Sequence, residues 1–405
     1  MSRDLLIRAA RADELPHFLA VTEQTFGGEV REGDVERHRD VLRAERAHGA
    51  FEGDALVGTA AAYEFTLTIP GGEVSAAGVT MVGVLPTHRR RGILTQLMRA
   101  QLDDVHARGE PLAILFASEP AIYGRFGYGL AIRALRLDAE KQRVVFRSPP
   151  DPAAQARLVP LEAAHAVVAP LHDEVRRAVP GMFARTEAWW RAFRLTDPEH
   201  WRHGGGPLFL VVLGLDGGDA GFARYRLHDK WNEGGANVEL EVYDAFATSP
   251  RAEIELWRYL FGIDLVARVR SWNLPVDHPL QYAVADFRRL KMAVADALWV
   301  RIVDVEAALG ARSYADGAPV VVELEDAFCP WNSGRWRISP SGAERTDTAA
   351  DLKLGAEELG AVYLGGVGFG ELARADRLRE LVPGALERAD FLFRTPRAPW
   401  CPEVF

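Results

Sequence analysis

The chain has 405 residues, 48% hydrophobic and 26% charged, with 48 Lys and Arg against 57 Asp and Glu and a formal net charge of -9. At roughly 150 residues per domain this predicts two or three globular domains, and the acidic balance excludes the basic stripe of a nucleic-acid binder while suiting a cationic substrate. Two cysteines, Cys329 and Cys401, lack metal-ligand spacing, which excludes a zinc site and a disulfide framework. No run approaches ~18 apolar residues, so no membrane span is expected. Met1-Ser2-Arg3-Asp4 carries no apolar signal region, and a reducing cytoplasm is the expected compartment.

Residues 4–8 read as a strand. Asp13 is placed to cap a helix running to about Thr25, with Leu15, Phe18, Leu19 and Thr22 on one face. A charged helix fits 34–47. Three strands follow, broken at Gly53-Asp54 and at Pro70-Gly71-Gly72, the third running from Gly78 to Leu85. After a basic loop, residues 92–108 form an amphipathic helix with Ile93, Leu97, Met98, Leu102 and Val105 on its apolar face. A buried strand fits 111–117 and another 128–137.

Residues 147–155 read as a linker, after which the order returns. Helices at 161–178 and 186–195 precede strands at 207–214, 219–228 and 236–246, a helix at 250–262 and a strand at 265–271. Two helices, a three-strand meander, a helix and a strand thus occur twice, which predicts an internal repeat. The last third differs: a short helix capped by Asp304, strands at 319–325 and 335–338, helices at 356–361 and 371–381, and a Pro-rich tail ending at Phe405. Leu364–Gly370, with four glycines, matches a GxGxxG spacing only superficially, because no strand leads into it. Trp189, Trp190, Trp257 and Trp299 read as core, and His17, His38 and His88 as surface.

The stretch Met81-Val82-Gly83-Val84-Leu85-Pro86-Thr87-His88-Arg89-Arg90-Arg91-Gly92-Ile93-Leu94-Thr95 carries the chemistry. A strand enters an Arg-Gly loop that opens a helix, and a helix N-terminus offers unpaired N–H groups and a positive dipole end to phosphate oxygens. Gly92 lets the backbone approach a ligand, and the arginines add charge-assisted hydrogen bonds. About thirty residues on stands Ile122-Tyr123-Gly124-Arg125-Phe126-Gly127-Tyr128-Gly129.

The first stretch resembles the acyl-CoA loop of the GNAT N-acetyltransferase superfamily, R/Q-x-x-G-x-G/A, with Arg89, Gly92 and Leu94 at its three positions; Leu94 departs from the usual small residue. Together with IYGRFGYG it resembles the multi-acetylating aminoglycoside acetyltransferases of the enhanced intracellular survival family. The resemblance implies a mixed α/β (α+β) chain of three parts. These are a catalytic GNAT domain at 1–150, a degenerate GNAT domain at 151–290 and a sterol-carrier-like domain at 291–405. It implies acetyl-CoA as cosubstrate, no metal, and a homohexamer.

By position the resemblance places Val82, Gly83 and Val84 beside the pantetheine, where backbone groups pair with its amides like an added strand. Arg90, Arg91, Gly92, Ile93, Leu94 and Thr95 form the pyrophosphate loop, Arg89 lies at its rim, and Ser118 and Glu119 lie near the thioester. Tyr123 matches the family's proton donor to sulfur. Tyr128 reads as packing. The α-carboxylate of Phe405 corresponds to the family's terminal carboxylate, which acts as base, with Glu403 as a weaker attraction for the cation.

Phe26, Glu32 and Trp400 are candidates for the acceptor pocket. The second repeat's loop, Asp244–Glu253, has no glycine and no basic run, so one CoA site per chain is expected. The primary expectation is acetyl transfer to primary amines of a cationic, aminoglycoside-like molecule. Transfer to lysine side chains or polyamines, and a non-catalytic lipid-binding or scaffold role, stand as alternatives.

Overall fold

The computed structural model describes residues 5–232 and 235–405. Internal packing divides the chain into two units. The first comprises the residues up to Ile132 with Leu298–Pro396 and Glu403–Phe405; the second comprises Arg133–Ala297 with Arg397–Pro402.

In the first unit a seven-stranded sheet runs in the order Leu5–Ala9, Ala47–Glu52, Ala55–Ile69, Gly72–Val84, Leu112–Phe116, Leu298–Ile302, Gly129–Leu130. Neighbours are antiparallel except Gly72–Val84 and Leu112–Phe116, which are parallel and joined through the helix Ile93–Ala107. That helix buries Ile93, Leu97, Met98, Leu102 and Val105, the stripe its spacing predicts. The expected helix over 34–47 is shorter: it spans Asp34–Arg39, and a strand already begins at Ala47. Gly33 and Asp34 open it, and no apolar stripe supports a further turn; its buried residues are none.

A buried guanidinium ties the turn before strand Ala47–Glu52 to the one before Leu112–Phe116, with a second, more exposed carboxylate, Glu64, 3.6 Å away. Arg46 donates to both carboxylate oxygens of Glu110 at 2.8 and 2.6 Å, and the two residues are 2% and 7% exposed. Glu110→Ala would leave a buried guanidinium without this carboxylate, at a cost of about 3–5 kcal/mol. A denaturant midpoint unchanged by the substitution would rule out this structural role.

The last third adds a five-stranded sheet in the order Gly342–Arg345, Gly334–Ser339, Val320–Glu325, Leu352–Gly355, Arg379–Glu380. Asp304 caps the helix Val305–Ala311 as expected, its carboxylate accepting from the Ala307 N–H at 3.0 Å. The helix expected at 371–381 instead spans Phe369–Arg374, and a further helix covers Ala385–Phe393. The glycine-rich Leu364–Gly370 stretch is no phosphate loop: Asp390 accepts from the N–H groups of Phe369 at 2.5 Å and Gly370 at 3.2 Å.

The second unit carries its own seven-stranded sheet. Its order is Ala293–Asp296, Arg133–Glu140, Val266–Pro275, Val238–Ala247, Gly218–His228, Leu208–Leu215, Gln155–Leu158. Helices Leu161–Arg176 and Pro250–Gly262 belong to it. The two sheets therefore repeat the meander, helix and parallel strand. Sheet membership crosses the boundaries drawn from sequence. The strand expected at 128–137 is two strands, Gly129–Leu130 in the first sheet and Arg133–Glu140 in the second, and Leu298–Ile302 returns to the first sheet. No helix among the described residues is long and apolar enough to cross a membrane.

Candidate active site

The cleft begins as a fault in a strand. Thr59 pairs with Gly83 while Ala61 pairs with Thr80, so Gly72–Val84 carries a bulge. Met81 sits there with φ 54°, and its carbonyl accepts from the Thr59 hydroxyl at 2.8 Å. A bulge bends and twists its strand. The parallel pairing to Leu112–Phe116 accordingly covers only Ala76–Gly78 against Leu112–Ile114. Beyond that point the two strands part, and Val82, Gly83 and Val84 line the gap. Gly83 is required by a close approach: a Cβ there would lie 2.2 Å from the Thr25 hydroxyl.

The basic loop closes the far end. Gly92 takes φ 78° immediately before the helix Ile93–Ala107. A Cβ on Gly92 would meet nothing within 4 Å, so the requirement is backbone conformation rather than space. No side chain caps this helix, leaving its first N–H groups and dipole end facing the cleft. Arg89 braces the wall, donating to the Val84 carbonyl at 3.2 Å and the Thr25 carbonyl at 3.4 Å.

At the other side, strand Leu112–Phe116 runs into two short turns, Pro120–Ile122 and Gly124–Phe126, that flank Tyr123. Tyr123 is 6% exposed. Burial, and secondarily the charge of Glu119, push its phenol up to about 12, so the group is neutral and able to donate across the physiological range. The glycines of IYGRFGYG receive the last third of the chain. A Cβ on Gly124 would lie 2.6 Å from Glu357 Oε2, one on Gly127 2.5 Å from Arg301 Nη1, and one on Gly129 2.0 Å from the Glu357 carbonyl.

The resulting cleft of about 520 Å³ is lined by Val82, Gly83, Val84, Arg90, Gly92, Ile93, Leu94, Thr95, Ser118, Glu119 and Tyr123, all expected from the sequence. Arg91 is not among the lining residues. It pairs with Glu52, whose carboxyl this hydrogen bond holds below its ordinary range. Thr25, Phe26, His88, Arg89, Ile122 and Arg125 complete the wall. His88, expected on the surface, stands there 3.3 Å from Glu52. Phe26 was a candidate for the acceptor pocket; Glu32 does not line this cleft. Thr25, Ile122 and Arg125 escaped the sequence reading. Arg125 and Ile122 lie inside the IYGRFGYG motif, which was the available signal, whereas Thr25 has none.

Phe405 lies outside the cleft lining. Its ring meets Phe65 edge-on at 5.0 Å and Phe116 at 5.9 Å, and Phe116 ends the strand that leads to Ser118. Tyr128 is fully buried, as its packing role requires.

The equivalent region of the second unit is filled. Strands Val238–Ala247 and Val266–Pro275 pair in parallel only as far as Val242 and Ser271. Beside the unpaired ends lies Trp400, which packs on Phe246 and donates from its indole to Asn273 at 3.0 Å. The Asn273 amide in turn donates to the Cys401 carbonyl at 2.7 Å. Only about 20 Å³ remains. The helix Pro250–Gly262 is already capped by Ser249, and Asp244 is buried between Arg224 and Arg185. Trp400, a candidate for the acceptor pocket, has this anchoring place instead. No cluster of three metal-ligating side chains occurs among the described residues.

Comparison with known proteins agrees with this architecture. The family model described as acetyltransferase (GNAT) domain matches residues 6–131, a second GNAT-domain model matches 181–302, and a sterol carrier protein domain matches 305–402. An uncharacterised N-acetyltransferase of Streptomyces coelicolor is 45% identical over 98% of this chain and 99% of its own. The N-acetyltransferase Eis of Mycobacterium tuberculosis is 33% identical over 85% of each chain. The crystal structure of Eis1 from Mycobacterium abscessus superposes with a TM-score of 0.87 at 35% identity, covering 99% of this chain and 100% of the other.

Proposed function

Because the chain belongs to the Eis family of GNAT N-acetyltransferases, we propose that it acetylates primary amines of a cationic, aminoglycoside-like small molecule, with acetyl-CoA held in the cleft beneath the Arg-Gly loop. GNAT acetyltransferases use acetyl-CoA, and the cleft suits it. The uncapped helix start at Gly92–Thr95 supplies N–H groups for a diphosphate. The parted edge of Val82–Val84 supplies a strand-like partner for the pantetheine amides. Tyr123 and Glu119 stand at the end of the adjoining strand, where the thioester would lie.

The observation that carries the reading is this convergence: a bulged strand, a glycine-opened helix and a buried neutral phenol line one cleft. Tyr123 donates to the leaving sulfur, and the Phe405 carboxylate receives or orients the amine's proton. The net charge of -9 draws a polycation toward the molecule. The reading carries a homohexamer with it, measurable by light scattering.

Thiol release from acetyl-CoA, followed across multi-amine antibiotics, polyamines and lysine peptides, tests the proposal. Turnover concentrated on the antibiotics supports it; turnover on peptides or polyamines alone replaces the acceptor class; silence across the panel rejects the reaction.

The arginines are expected to separate. Arg90→Ala removes a cation that lines the cleft, and a charge-assisted hydrogen bond is worth about 1.5–3 kcal/mol, so the acetyl-CoA KM should rise about tenfold or more. Arg91→Ala, whose side chain is held by Glu52, should change it little. Equal effects in steady-state kinetics would place both on the cofactor.

A further inference from the structure

We propose that Arg301, clamped by Asp326 in the last third of the chain, is a positioning residue that holds the Tyr123–Gly129 turn in the shape its chemistry needs. This rests on the reading of Tyr123 as the proton donor.

Arg301 comes from strand Leu298–Ile302, whose Val300 and Trp299 pair with Gly129 and Leu130. Its side chain is fully buried. One nitrogen, Nη2, donates to both oxygens of Asp326 at 2.8 and 2.7 Å. Asp326 is itself over-determined: it accepts from the Cys329 N–H at 2.9 Å and the Asn332 amide at 3.0 Å. The guanidinium therefore has one rigid edge.

Its other edge is turned to the catalytic loop. Gly127, with φ 83°, approaches so closely that a Cβ would sit 2.5 Å from Nη1. Nε and Nη1 are buried with no oxygen acceptor among the described residues, the Cys329 thiol being the only further group the guanidinium meets by a hydrogen bond there, and the Tyr128 hydroxyl is buried and likewise unpaired. Tyr128 stands edge-on to Tyr123 at 5.9 Å. The same loop is gripped a second time, where Phe126 meets Phe328 edge-on at 5.1 Å, between Asp326 and Cys329.

A pair built for stability would satisfy both edges, and an apolar pair of like volume would cost the fold less. A buried charge half-satisfied beside a left-handed glycine is a local cost, and such costs concentrate where function requires a geometry. The last third thus grips the turn that presents the phenol, in addition to carrying the chain's final residues.

The test is a mutant cycle. Arg301→Met combined with Asp326→Asn leaves no buried charge and keeps an acceptor for the Cys329 N–H. Its kcat should fall roughly 10- to 100-fold, the scale of a displaced catalytic group, with the acetyl-CoA KM nearly unchanged. In a Tyr123→Phe background the same replacement should give no further loss. If the double variant does not fold, Arg301→Lys carries the test, since it keeps a cation beside Asp326 but has no second nitrogen to reach Gly127.

A folded variant with wild-type kcat overturns the proposal. So does an equal fall in both backgrounds, which would mark a general structural effect. Wild-type kcat in Tyr123→Phe alone is a different result and removes the proton-donor reading itself.

Discussion

Tyr123→Phe is expected to lower kcat by about 10²- to 10⁴-fold, the usual worth of a positioned proton donor, with the acetyl-CoA KM and the melting temperature nearly unchanged. The ring is buried and edge-on to Tyr128, so Phe keeps its packing and loses only the hydroxyl. With the phenol pushed up to about 12, against about 8.5 for a thiol, Tyr123 is the weaker acid by roughly 3.5 units. It therefore does not hold a free thiol protonated at equilibrium. In the proposed reaction it donates to sulfur while negative charge develops, and the proton shed by the amine restores the balance.

The sign of the pH dependence follows. Below about 12 the phenol is in its donating form, so no alkaline fall in rate arises from Tyr123 within an ordinary assay range. Turnover should climb as the acceptor amine, near ~10, loses its proton. The Tyr123→Phe profile should keep this shape at a lower level. A variant with full kcat would remove the hydroxyl from the chemistry.

Local periodicity made the first domain legible: Ile93, Leu97 and Leu102 lie on one face, and a helix forms where that face finds a sheet. Gly92 was legible as a glycine with a task. The task of Gly83 was not, because Thr25 approaches it from a helix far away in sequence. The same limit hid Arg301. Nothing near residue 301 announces a strand that returns to the first sheet, and the glycines of IYGRFGYG gave no sign of the helix Ala356–Val362 that packs on them. The expectation that Arg90 and Arg91 act together in the loop also exceeded what spacing decides. Glu52, from another strand, takes Arg91, while Arg89 bonds the carbonyls of Val84 and Thr25. Order was readable, and so was the Asp304 cap; the cap expected from Asp13 was not, since Leu15–Phe26 opens at Glu14 with no side-chain cap, and partners distant in sequence were not.

Adding one glycine after Phe405 is expected to cut kcat by about 10²-fold or more, the scale of a lost proton acceptor, while leaving the fold intact. On the proposed reading the two ends of Phe405 have separable tasks. Its ring is gripped by Phe65 and Phe116, and the extension leaves that grip in place but converts the carboxylate to a neutral amide and moves the charge one residue on. Phe405→Leu does the reverse, weakening the aromatic contact and keeping the charge, so it should retain most of the kcat. An α-carboxylate near ~3.5 is far too weak a base to strip an ammonium near ~10 by itself. Its proposed contribution is electrostatic: a fixed negative charge that draws and orients the cation, which attacks as the neutral amine once its first proton has gone to solvent, the carboxylate receiving the second proton, acidified as the C–N bond forms. Such a contribution depends on close placement, which is why one added residue is expected to matter more than the loss of an aromatic ring. If the extended chain turns over normally and Phe405→Leu does not, the ring, not the charge, is what the active site requires.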